Sequence, residues 1–292
     1  MSISFNGGEC EGGSKVFHFG LRFRGADQAR LPTFYPTAQT GNRDRTMLSP
    51  IATEVSAGVG AAVLAAGGCA YAAMWPGSRL FGRALIAPPR PGELALTFDD
   101  GPNPAWTPRL LEVLVSHNVR ATFFLVGNHA QAEPELVRRI VANGHLIGNH
   151  TWSHPNLALT SAARIKEELV NTSDALQQIA GVHVKYFRPP FGARRPIVFR
   201  LARSLGMVPV LWNAMTSDWK EPSADAIALR LTRRIDQLQQ RGRASNIVLH
   251  DGDHRDRGGY RGPSVAAAGL IAARFKNTHR FVTLDAWGQP QA

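Results

Sequence analysis

The chain of 292 residues holds only two cysteines, Cys10 and Cys69, far apart in segments of different character. That scarcity excludes a disulfide framework and a thiolate zinc site, so any metal must be held by histidine and carboxylate. Acidic residues are also few, 22 against 33 Lys and Arg, which leaves a formal charge of +11. The excess is scattered. Its densest stretch, "RLTRRIDQLQQRGR" at 230–243, reads as the solvated side of a helix, and no nucleic-acid partner is expected. Repeats of solenoid type are missing. What is present, a 44% hydrophobic share, suffices for an ordinary core.

Long apolar runs are nearly absent too, with one exception. Residues 55–75, "VSAGVGAAVLAAGGCAYAAMW", run for 21 residues without a charge, the length needed to cross a bilayer, although Ala and Gly supply most of them. Arg43 and Arg45 precede the run and Trp75 closes it. Residues 47–75 are therefore expected to form a hydrophobic signal anchor, with the rest of the chain outside the cytoplasm. Residues 1–46 read as a tail, or as sequence upstream of a translation start at Met47. The stretch 76–92, dense in Pro and Gly, reads as a linker. A folded domain is expected over 93–287, and 288–292 as a short tail.

Within 93–287 short apolar runs alternate with longer amphipathic ones. Strands are predicted at "ELALTFD", "ATFFLVG", "HLIGNHT", "KYFRPP", "VPVLWN", "NIVLHD" and "RFVTLDA". Helices are predicted near 107–117, 134–143, 161–180, 196–205, 223–240 and 264–275. Such alternation implies parallel pairing and an α/β fold, a distorted (β/α)7-type barrel, with a doubly wound open sheet as the alternative.

In either architecture functional groups gather where strands finish. The first strand delivers the adjacent Asp99 and Asp100, and the third delivers His150 and His154. The fourth, fifth and sixth end in Arg188, in Asp218 with Trp219, and in His250. Metal-assisted hydrolysis uses such a set. One carboxylate and two imidazoles make a three-ligand site with open positions, as catalytic zinc requires. The other Asp is free to take a proton from the attacking water, with Arg188 holding it ionised through a bidentate contact. His250, arriving from the opposite side, is placed to protonate the leaving group.

"TFDDGP", "HTWSHP", "RPPFG", "TSDW" and "LHDG", in this order, resemble the five motifs of the NodB-type polysaccharide deacetylases, carbohydrate esterase family 4. The resemblance implies removal of N-acetyl groups from amino sugars in a peptidoglycan or chitin-like glycan. It also implies one divalent ion, zinc first, with cobalt, nickel or manganese as alternatives. By the same resemblance Asp99 is the base, Asp100, His150 and His154 are the metal ligands, Arg188 braces the base and His250 is the acid. The backbone N–H near Phe191 is implied in oxyanion stabilisation, and Trp219 and Leu249 in shaping the acetyl pocket.

One position departs from the pattern. Many family members carry an Asp where this chain has Met215, and that Asp is thought to support the acid histidine. His250 is therefore expected to be a weaker acid group unless Asp218, the supporting carboxylate, or Asp251 substitutes. The Gly-rich, charged loop after "LHDG" is expected at the rim of the cleft, where His254 and Tyr260 could reach sugar. Two rival readings are a catalytically silent carbohydrate-binding relative and a deacylase of a lipid-linked sugar that uses the 55–75 segment to reach the membrane.

Overall fold

The structure, a computed structural model, describes residues 50–288; the expected tail at 1–46 and residues 289–292 lie outside them. Its centre is a curled parallel sheet. The strands are β1 (Glu93–Asp99), β2 (Thr122–Leu125), β3 (Leu146–Asn149), β4 (Tyr186–Phe187), β5 (Val208–Pro209), β6 (Ala214–Met215), β7 (Ser245–His250) and β8 (Arg280–Phe281). They run in the order β5-β4-β3-β2-β1-β7-β6, with β8 pairing β1 as well. The helices packed outside include α2 (Thr107–Ser116), α4 (Pro134–Ala142), α5 (Ala162–Ala180), α7 (Ala224–Gln240) and α8 (Gly262–Phe275), after α1 (Pro50–Met74) and the short α3 (Gly127–Ala132). α6 (Pro196–Ser204) follows α5. This is the expected α/β, distorted (β/α)7-type arrangement.

Strand alternation sorts the side chains. In β1, Leu94, Leu96 and Phe98 join an outer core with Leu110, Leu114 and Ile271 of the covering helices, while Thr97 and Asp99 face inward. In β7, Ile247 and Leu249 belong to the same outer core. Helix ends follow local chemistry. Ser161 and Ser223 cap α5 and α7 by accepting the N–H of Arg164 and Ala226, and Gly181 ends α5 in the left-handed conformation at φ 66°.

Two stretches differ from expectation, the linker and the fifth strand. The predicted linker 76–92 is built into the domain over its second half, because Leu85 and Ala87 are buried. Leu85 N–H donates to Pro209 O at 2.8 Å, and Leu211 N–H returns a bond to Leu85 O at 2.9 Å. On the other side the buried Asn246 amide donates to Ile86 O at 2.9 Å and to Leu211 O at 2.7 Å. This segment thus spans the gap between β5 and β7 and closes the barrel. Of the expected fifth strand at 208–213 only β5 is regular; Val210 next pairs with Leu85, through the bonds to Pro209 and Leu211, and β6 lies just beyond the predicted run.

The run expected as an anchor lies in α1. No helix among the described residues is long and apolar enough to cross a membrane. The C-terminal end of α1 meets the domain. The fully buried Arg194 donates side-chain hydrogen bonds to the carbonyls of Ala73, Trp75 and Ser78, and also to that of Gly192 in the loop after β4.

Candidate active site

The C-terminal ends of β1, β3, β4, β6 and β7 surround a cleft of about 620 Å³ lined by Asp99, Asp100, His150, His154, Phe191 and His250, among others. Asp99 and Asp100 reach it together because strand alternation stops between them. Asp99 ends β1 facing inward, and Asp100 turns to φ 69°, a left-handed conformation that Asp tolerates better than most residues. The same device recurs at His154 (φ 56°) and Phe191 (φ 58°). Such backbone strain persists where surrounding contacts over-determine it.

Asp100, His150 and His154 offer ligand atoms that all lie within 4.8 Å of one another. Asp100 Oδ1 is 3.4 Å from His150 Nε2 and 3.1 Å from His154 Nε2, and it has no hydrogen-bond partner. His150 Nδ1–H donates to Arg188 O at 2.8 Å, which leaves the Nε2 lone pair facing the carboxylate. Burial would raise the Asp100 carboxyl, but the imidazoles of His150, His154 and His254 outweigh it and hold the group well below the usual carboxylate range. Burial draws His154 down to about 4, so its ring is neutral near pH 7, as a ligand must be. An orphaned buried oxygen facing two imidazole nitrogens is the donor set of a divalent cation, and the residues fit one.

Beside this triad, Asp99 Oδ1 accepts from Arg188 Nη1 at 2.6 Å, while Oδ2 has no hydrogen bond and lies 3.9 Å from His150 Nε2. The expected bidentate contact is not made: the same Arg188 nitrogen also donates to Thr97 Oγ1 at 2.8 Å, and Nε and Nη2 are unpartnered. The guanidinium lies 4.1 Å over the Phe124 ring, which fixes it in place of a second oxygen.

His250 stands in register with Asp99 across the β1–β7 ladder. Asp218 takes both of its donors, Nδ1–H at 2.9 Å and backbone N–H at 2.8 Å, and is itself held by Ser264 Oγ at 2.7 Å. Burial opposes charge on the ring, yet the Asp218 carboxylate overrides it and pushes His250 up to about 9. The weakness expected from Met215 therefore does not arise. Met215 is exposed at the cleft, and the supporting anion is Asp218. Asp251 is engaged by Thr107 Oγ1 instead, and burial pushes its carboxyl up to about 7.

Trp219 packs edge-on to His250 at 4.8 Å and lines the cleft with Phe191. Leu249 does not. Strand alternation turns it into the outer core, and its neighbour Val248 lines the cleft. Sequence reasoning missed Glu168, a buried carboxylate on α5 that accepts from Ser153 N–H and Oγ, both at 2.7 Å, and so braces the turn between the two histidines. Nothing in its own helix distinguishes it from a solvated Glu. That turn is no helix: Thr151 and His154 both take positive φ.

A fold of this type with this site defines a class, and comparison with known proteins agrees: residues 87–210 match the polysaccharide deacetylase family, and the chain belongs to it. Over 207 residues it is 37% identical to a peptidoglycan-N-acetylglucosamine deacetylase of Bacillus cereus, covering 70% of this chain and 72% of that one. It is 38% identical over 162 residues to a chitooligosaccharide deacetylase of Rhizobium leguminosarum, covering 54% and 70%. A crystal structure of a peptidoglycan N-acetylglucosamine deacetylase bound to an N-hydroxybenzamide superposes with a TM-score of 0.62 at 37% identity, over 70% of this chain and 91% of that one.

Proposed function

We propose that the protein hydrolyses the acetamide of N-acetylglucosamine units in peptidoglycan, releasing acetate and leaving a free amine on the glycan. The observation that carries this reading is the Asp100–His150–His154 triad sharing one cleft with a proton acceptor, Asp99, and a proton donor, His250, on the neighbouring strand. Asp100, His150 and His154 would hold a divalent cation, zinc by the fit of one oxygen and two nitrogen donors, and it would polarise the acetyl carbonyl and acidify the attacking water. Asp99 Oδ2 takes the proton of that water, with Arg188 keeping Oδ1 aimed. His250, its Nδ1 committed to Asp218, presents Nε2 to the departing nitrogen and protonates it. Trp219 and Phe191 wall the cleft.

The similarity to the peptidoglycan deacetylase spans more of the chain than that to the chitooligosaccharide enzyme, which favours peptidoglycan. The proposal carries with it a catalytic domain outside the cytoplasm, where that polymer lies. Acetate release from peptidoglycan, chitooligosaccharides and acetylated xylan by the full chain, with and without zinc, tests the reading. Release only from peptidoglycan and only with the metal is expected. Asp99→Asn should keep zinc binding and lose turnover; a variant that still turns over would remove the base from the mechanism.

A further inference from the structure

The loop after β7 brings an additional imidazole to the cation site. His254 lies with its ring stacked on that of His154, centroids 4.2 Å apart and planes 23° apart, and meets Phe191 edge-on at 5.5 Å. Its Nδ1 faces Asp100 Oδ2 at 3.6 Å, the carboxylate oxygen turned away from the two ligand nitrogens. His254 is held there by its loop. Arg261 donates to Gly252 O at 2.7 Å and to Asp253 Oδ2 at 2.8 Å, and Asn103 donates to Gly259 O at 2.9 Å.

These contacts divide the two oxygens of one carboxylate. Oδ1, which has no other partner, faces His150 and His154, and Oδ2 faces Nδ1 of His254 at 3.6 Å. An imidazole nitrogen facing the far oxygen, on a ring stacked against His154, limits how the buried Asp100 carboxylate can turn. The stacked ring likewise covers His154, whose buried Nδ1 has no hydrogen bond to orient it.

We propose that His254 is a positioning residue for the cation site, one that sets Asp100 and His154 in the geometry that grips the metal. The proposal rests on the cation reading above. Zinc dissociation constants of full-length wild type, His254→Ala, His254→Asn and His254→Phe, obtained by competition with a chromophoric chelator, test it, with thermal midpoints of the metal-free proteins as the check on folding. Alanine is expected to weaken binding about 10- to 100-fold. Asparagine, whose Nδ2 stands where histidine carries Nδ1, should restore most of the affinity. Phenylalanine keeps the stack, lacks the donor, and should not. An alanine or phenylalanine variant that binds zinc as tightly as wild type overturns the proposal. Wild-type protein that binds no zinc overturns the cation reading itself, which separates the two failures.

Discussion

Replacing Asp218 by Asn tests whether His250 acts as an acid because a neighbouring anion keeps it charged. The imidazole ordinarily titrates near 6.5 and here is pushed up to about 9, against the burial that opposes its charge. Protonated His250 is the working form, so activity is present below its pKa and lost as pH rises through it. With the Asp218 charge gone, burial remains, and the pKa should fall by about 2 to 3 units, roughly 3 to 4 kcal/mol of lost stabilisation of the imidazolium. At pH 7.5 that leaves on the order of a tenth of the enzyme correctly protonated, so kcat drops about tenfold, and the alkaline limb moves from near pH 9 toward 6.5. Acetate release at saturating substrate and zinc, followed from pH 5.5 to 10, reads the limb directly. Zinc affinity should hold, because Asp218 bonds to His250 and Ser264 and to none of the three ligands. An alkaline limb that stays within about half a unit of wild type would refute the reasoning.

Three further outcomes are expected. Glu168→Ala frees the turn between His150 and His154, and should lower stability by about 1–2 kcal/mol and zinc affinity about tenfold, read by denaturant melts and metal titration. Asn246→Ala strips two carbonyls of their donor where the barrel closes, and should cost about 2–4 kcal/mol in the same melts. His145 is buried, accepts the Ala121 N–H, and is drawn down to about 4 by that burial, so it stays neutral in the fold while the unfolded chain takes up a proton below its ordinary 6.5. Its contribution to stability is whole above pH 6.5 and is lost as pH falls toward 4, on the order of 3 kcal/mol, and His145→Gln should flatten that slope in urea melts at pH 4.5 and 7.

The residues that meet in the cleft could be read from the sequence because each ends a strand, and strand ends are marked by apolar runs that stop at a polar group. Asp99, His150, Arg188 and His250 all announce themselves in this way. What escaped depends on contacts between distant segments. Leu85 and Ile86 stand in a stretch full of Pro and Gly, and only their pairing with Pro209, Leu211 and Asn246 makes them part of the barrel. The choice between Met215 and Asp218 as the position behind His250 turns on how the chain turns after β6, which brings Asp218 to the ring and leaves Met215 exposed, and spacing alone does not reveal it. Leu249 was misplaced for the same reason, since its face follows from the register of β7 against β1.

Arg194 makes the helix that precedes the catalytic domain hard to detach from it. A protein trimmed to begin after Ser78 would leave this buried guanidinium with the Gly192 carbonyl alone, an ion stripped of three acceptors beneath the loop that carries Phe191. The boundary that composition marks as dispensable is thus where shortening the chain should loosen the wall of the cleft.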